Sequence, residues 1–145
     1  MILLRKLLET NGFHRIPLKK LSSGHYQLYA KINAKKGRFI LDTGASTSCI
    51  GFDSIDYFFL KNEKSDIKAA GAGAVNMKTE VARKNHFSIG SWQSKNMDFV
   101  LFDLSHVNEA LQEVNERPVH GIIGADFLKA TRAVIDYGRN CVYVK

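Results

Sequence analysis

The sequence predicts a mainly β fold, a small closed β-barrel or closed sandwich with one or two short helices. Three observations carry that prediction. Short apolar stretches of alternating pattern recur between Gly, Asn and Ser turn signals. A single segment of the second half keeps a clear helical period. The length, 145 residues, is that of one domain. A domain of this size buries about two-thirds of its unfolded surface and needs no metal or disulfide to fold.

Taken in order, the first 12 or so residues form a short helix closed by Asn11-Gly12. Residues 1–23 are expected to be an N-terminal extension, helix or extended arm, and residues 24–145 the folded domain. Gly24 to Asn33 alternates as a strand, with Tyr26, Leu28, Ala30 and Ile32 on one face. Ala34 to Gly37 supplies a turn, and Arg38 to Leu41 returns as the second strand of a hairpin. A third strand is expected around Ser65 to Ala70, running into the small-residue stretch Ala69 to Ala74. Val75 to Ile89 returns from it to the turn Gly90-Ser91, and Asn96 to Phe102 forms another strand. In Ser105 to Asn115, Val107, Ala110, Leu111 and Val114 fall at i, i+3, i+4 and i+7, a helix with Ser105 as N-cap and Pro118 beyond its end. Its acids Glu109, Glu113 and Glu116 make a solvated face. Val119 to Ile123 is extended, Asp126 to Ala130 is a short helix, and Ala133 to Tyr137 pairs with Cys141 to Val144 through Gly138 to Asn140.

The composition, 45% hydrophobic and 24% charged, excludes a disordered or collagenous chain. No run reaches the ~18 apolar residues of a membrane span. The apolar start Met1 to Leu8 is broken by Arg5-Lys6 and has no cleavage pattern, so a soluble cytosolic protein is expected. The net charge of +7 admits anionic partners, but the basic residues (Lys19-Lys20, Lys35-Lys36, Arg83-Lys84, Arg132) are scattered, and no nucleic-acid partner is expected. Two cysteines, Cys49 and Cys141, lie far apart without a CxxC, and each reads as a small apolar residue in a strand. The histidines (14, 25, 86, 106 and 120) show no metal-ligand spacing. Neither metal nor cofactor is expected.

The strongest local signal is Phe39 to Thr47. Three apolar residues deliver Asp42 to the mouth of a turn at Thr43-Gly44, where glycine admits close backbone approach and the Thr43 hydroxyl can lock the loop. An isolated Asp of this kind also serves in ordinary Asx turns. A second signal lies in Val119 to Leu128, where Gly121-Ile122-Ile123-Gly124 precedes Asp126-Phe127-Leu128. Other motif readings are weaker. Gly71-Ala72-Gly73 begins like a dinucleotide fingerprint without its last glycine or a βαβ unit. Gly44-Ala45-Ser46 lacks the final glycine of a nucleophile elbow. Gly121 to Gly124 has an apolar centre unsuited to the phosphate contacts of a GXXG loop.

These two segments, in this order, resemble the retropepsin-like aspartic peptidases, and the resemblance covers roughly Gly24 to Lys145. It implies a small closed β-barrel of the acid-protease type. It also implies that Asp42 is the catalytic acid, with Thr43, Gly44, Ala45 and Ser46 supporting its loop. Ile122, Ile123 and Gly124 would pack against that loop, and Gly71, Ala72 and Gly73 would form a substrate-covering flap. Hydrolysis of this type needs two carboxylates sharing a proton. Asp126 has no Thr-Gly after it and is a poor second acid, so the partner is expected to be Asp42 of a second copy across a two-fold axis. The free C-terminal strand Asn140 to Lys145 is the candidate shared element. The leading expectation is therefore a homodimeric endopeptidase acting on peptide or protein substrates, with apolar residues such as Ile123 shaping the pockets. The alternatives are a non-catalytic binding or assembly module of the same fold and a basic nucleic-acid-binding barrel, which a salt-dependent oligonucleotide shift would reveal.

Overall fold

The computed structural model of the chain describes residues 3–64 and 78–145. The strand expected at Ser65 to Ala70, the stretch containing Gly71, Ala72 and Gly73, and the start of the strand expected from Val75 all lie outside the described residues. The elements are α1 (Leu4–Thr10), β1 (His14–Pro17), β2 (Lys19–Lys20), β3 (Tyr26–Ile32), β4 (Lys35–Leu41), β5 (Cys49–Gly51), β6 (Asn62–Lys64) and β7 (Glu80–Ile89). They continue with β8 (Trp92–Phe102), α2 (Ser105–Glu113), β9 (Gly121–Ile123), α3 (Ala125–Ala130), β10 (Val134–Asp136) and β11 (Cys141–Val144).

The main sheet runs β2-β3-β4-β9-β5-β8-β7-β6, and an extra pairing of β3 with β7 closes it. The result is the expected mainly β barrel, with six strands in the ring. β3 shows why. Leu28, Ala30 and Ile32 point into the barrel while Tyr29 and Lys31 face solvent, the period of two that a half-buried strand imposes. The hairpin turn differs from the expectation of Ala34 to Gly37. Asn33 and Ala34 take φ of 50° and 70°, and this two-residue turn of positive φ matches the twist of the strands it joins. Lys35, Lys36 and Gly37 therefore belong to β4, where Lys36 lies opposite Lys31 and Arg38 opposite Tyr29.

Inside the barrel Phe39, Phe58, Phe87, Phe99 and Phe127 meet, mostly edge to face, with ring centroids 5.5 to 6.5 Å apart. Full burial of each such ring contributes about 1.5–3 kcal/mol. A second apolar cluster joins Ile40, Cys49, Val100, Leu104, Leu111 and Ile122 under α2. The N-cap differs from expectation: the Asp103 carboxylate accepts the Ser105 amide at 2.9 Å, and Leu104 is the boundary residue. A carboxylate accepts this amide more strongly than a serine hydroxyl would.

β10 and β11 form the expected C-terminal hairpin, but β1 adds to the other side of β11, giving the order β1-β11-β10. β11 is thus the centre of a three-stranded sheet, with both of its edges hydrogen-bonded within the chain. It cannot serve as the free strand expected of Asn140 to Lys145; the open edges are β1 and β10. Among the described residues no helix is long and apolar enough to cross a membrane.

Candidate active site

Asp42 follows the last residue of β4 and marks where two distant segments are laced together. Its backbone amide donates to the Ile123 carbonyl at 2.9 Å, and its Oδ1 accepts the Gly44 amide at 2.9 Å. The Ala45 amide closes the turn onto the Asp42 carbonyl at 3.2 Å, and Ala125 donates back to the Ala45 carbonyl at 2.7 Å. Asp42, Thr43 and Gly44 are exposed, and among the described residues only Oδ1 of the Asp42 carboxylate is bonded. The loop therefore holds a carboxylate in a fixed orientation at the surface, where desolvation by a partner or substrate can act on it.

The lacing depends on close approach. A Cβ on Gly124 would sit 2.6 Å from the Ala45 carbonyl oxygen, and one on Gly121 would strike the Cys49 carbonyl. Both obstacles are backbone, so both positions require glycine. Ile122 and Ile123 pair with Ile40 and Leu41 of β4, which brings the Gly121 to Gly124 segment beside the Asp42 loop.

Asp126 has a task of its own. Its Oδ1 accepts the Ser48 amide at 2.9 Å, the Ser48 hydroxyl at 2.7 Å and the Phe127 amide at 2.8 Å, while the Ser48 hydroxyl accepts the Gly124 amide at 2.9 Å. Asp126 thus clamps the far end of the Asp42 loop onto the start of α3, where an acid also suits the helix dipole. Sequence reasoning weighed Asp126 only as a catalytic acid and missed this pairing, since Ser48 lies 78 residues away. The acid in the first turn of α3 was the available signal.

Beside Asp42 opens a cleft of about 390 Å³ whose walls include Leu18, His25, Tyr26, Ile135 and Tyr137. The Tyr26 and Tyr137 rings lie 5.1 Å apart, and the neighbouring Tyr137 hydroxyl pushes the Tyr26 phenol above its usual pKa. Ser46 is exposed, Ala45 packs partly under the loop, and Ile123 is fully buried in the main core rather than open to the cleft. Among the described residues no three His, Cys, Asp or Glu side chains gather as a metal site. Burial pushes the Cys49 thiol up to about 12, so it is no nucleophile at neutral pH.

A closed barrel that delivers a D-T-G loop against a later Ile-Ile-Gly segment has the architecture of the retropepsin fold. The aspartyl protease family matches residues 28–127 of this chain, and the chain belongs to that family. Three solved structures share its fold. A retropepsin-like aspartic protease from Rickettsia conorii aligns with TM-score 0.56 and 17% identity over 92% of this chain and 90% of that one. The retroviral protease-like domain of Ddi1 from Leishmania major aligns with TM-score 0.55 and 15% identity over 82% and 86%. The EIAV protease complexed with the inhibitor HBY-793 aligns with TM-score 0.56 and 19% identity over 75% and 89%. No curated protein matches the sequence significantly.

Proposed function

We propose that the chain is an aspartic endopeptidase whose active form is a homodimer, with Asp42 of each copy forming one catalytic dyad. The observation that carries the proposal is the Asp42 carboxylate itself, exposed and oriented by the Gly44 amide. The neighbouring acid of the same chain, Asp126, is occupied by three donors. A second Asp42 supplies what one chain lacks. Two carboxylates held together share a proton, because both cannot ionise cheaply at short range. The ionised member draws a proton from water, and the protonated member donates to the scissile carbonyl oxygen as the water attacks. The leaving amine then takes a proton from the dyad.

The C-terminal sheet supports the same reading. β10 is an open edge, and its Ile135 stands in the cleft beside Asp42. Pairing of β10 with its two-fold mate is an isologous contact that brings the two Asp42 loops toward one axis. Substrate lies extended across the dyad, bound mainly through its backbone.

Cleavage of a mixed peptide library, read by mass spectrometry, tests the proposal. Wild type is expected to cleave and Asp42→Asn to lose all turnover while keeping its melting temperature. Specific activity should fall on dilution, and excess Asp42→Asn chain should suppress wild type through dead heterodimers. Full turnover in folded Asp42→Asn would overturn the assignment. A folded wild type that cleaves nothing at any concentration would favour the non-catalytic module of the same fold.

A further inference from the structure

The end of the β3–β4 hairpin remote from Asp42 gathers a group of cations that no carboxylate among the described residues neutralises. Lys31 and Lys36 stand directly opposite each other across the two strands, and Arg38 follows Lys36 on the same face. Side chains so paired are about 5 Å apart at Cβ, and like charges at that distance repel. Arg38 and Arg117 are close enough that each other's charge, after burial, helps hold the Arg38 guanidinium below its usual pKa. Lys35 completes the group at the hairpin tip. Among the described residues the ion pairs of the chain engage only Arg5, Arg83 and Arg139 on the basic side, so none of these five cations has a carboxylate partner.

Aromatic rings are interleaved with the charges. The Lys36 ammonium sits 4.3 Å from the Tyr29 ring centroid, and that of Lys35 sits 4.7 Å from Tyr57 and 5.9 Å from Phe59. These rings are 45%, 40% and 68% exposed. Phe59 is held outward by a backbone of positive φ, 56°. Tyr57 is fixed from below by stacking on His120, centroids 5.1 Å apart, and by its hydroxyl on the Lys36 carbonyl. A shallow depression of about 430 Å³ between Tyr29, Lys31, Lys36 and Ser88 runs along this face.

We propose that this strip is a binding surface for single-stranded nucleic acid, its cations tracking the phosphates and its exposed rings stacking on bases. Charge alone would suit any polyanion. Three exposed rings spaced among unpaired cations select the polyanion that also carries flat aromatic groups. Along the sequence the basic residues look scattered; the fold brings positions 31, 36 and 38 to one face of the hairpin, with Lys35 at its tip beside Tyr57 and Phe59 and Arg117 near Arg38. The strip begins about 13 Å along β4 from Asp42 and uses no residue of that site, so it stands or falls independently of the peptidase reading.

The test is fluorescence anisotropy of the full chain with labelled oligo-dT and oligo-rU of about 12 nucleotides, beside a labelled poly-Glu peptide of equal charge. Oligonucleotide is expected to bind at about 50 mM salt and to weaken steeply toward about 200 mM. The double variant Lys31→Glu/Lys36→Glu should lose binding at least tenfold, and Lys129→Glu on α3 should change little. Tyr29→Ser/Phe59→Ser should weaken oligonucleotide about tenfold and poly-Glu far less. Circular dichroism confirms that each variant is folded. No oligonucleotide binding at low salt would overturn the proposal. So would equal affinity for poly-Glu with indifference to the ring substitutions, which would make the strip an acidic-peptide surface.

Discussion

One hairpin, β3–β4, has two ends that are secured in different ways. At the Asp42 end the chain is held by backbone: Asp42 on Ile123, Ala125 on Ala45, and glycines where the segments nearly touch. At the Lys35 end β3 still pairs with β7, but β4 runs beyond its β9 partner, and past the His120 amide on the Arg38 carbonyl its outer edge is held largely by side chains. There the Tyr57 hydroxyl reaches the Lys36 carbonyl, the His120 ring accepts the Arg38 amide at 3.0 Å, and Phe58 packs beneath Gly37. Backbone contacts tolerate almost no displacement, whereas side chains can rotate and repack. The rigid end is suited to fixing a carboxylate for chemistry, and the adaptable end to meeting a partner of variable shape.

Matched glycine substitutions at the two ends would break this comparison most directly. Gly124→Ala forces a Cβ against the Ala45 carbonyl at 2.6 Å and the Thr47 backbone at 3.2 Å. The loop must move, and a loss of about 3 kcal/mol or more is expected, with all peptidase turnover. Gly37→Ala meets the Phe58 ring at an equally short 2.6 Å, but that obstacle is a side chain. A loss of about 1–2 kcal/mol is expected, with turnover retained. Urea unfolding midpoints and a single peptide assay check both. Equal losses would show that the obstacle's nature does not matter.

The next effect in size isolates the clamp. Asp126→Ala removes the acceptor of two amides and one hydroxyl and leaves the buried Ser48 hydroxyl short of a partner. Charge-assisted bonds contribute about 1.5–3 kcal/mol each and are not additive, so a loss of about 2–4 kcal/mol is expected. Asp126→Asn keeps an acceptor oxygen and should retain about half of that. Were Asp126 instead a catalytic acid, Asp126→Asn would abolish turnover while leaving stability nearly intact.

The two ends also differ in how legible they are. The Asp42 end is written in residues that backbone geometry compels, Thr43-Gly44 and Gly121 to Gly124, so both segments stand out in the sequence. β1 and β5 do not, being four and three residues long, too short for a period to register; only pairing with β11, β8 and β9 makes them strands. The Ser48–Asp126 clamp and the Tyr57–His120 stack are equally silent, because each joins residues far apart whose types are common in loops. The turn at Asn33-Ala34 was displaced toward Gly37 because glycine is the stronger turn signal, while asparagine also tolerates the left-handed region. Gly37 is spent on admitting Phe58 instead.

The smallest effect comes from the ring that braces the adaptable end. His120 is half-buried, and burial first, then the charges of Arg38 and Arg117, hold its pKa below the ordinary 6.5. The Arg38 amide donated to Nδ1 occupies the lone pair that a proton would need. The folded chain therefore binds this proton less readily than the unfolded chain, and stability rises with pH wherever the unfolded state holds more protons. The contribution is complete above the unfolded value of about 6.5 and is lost as pH falls from there toward the lower folded value. Asp103 and Glu116, whose folded pKa values are also depressed, by bonds from Ser105 and Ser22, lose theirs only near the unfolded carboxylate range of about 4. His120→Asn keeps an acceptor for the Arg38 amide but cannot titrate. Between about pH 7.5 and pH 5 the melting temperature of wild type should therefore fall further than that of the variant. The other histidines are common to both proteins and cancel in the difference. Parallel curves would mean that the ring is free to protonate in place, and that Arg38 and Tyr57 hold this end without it.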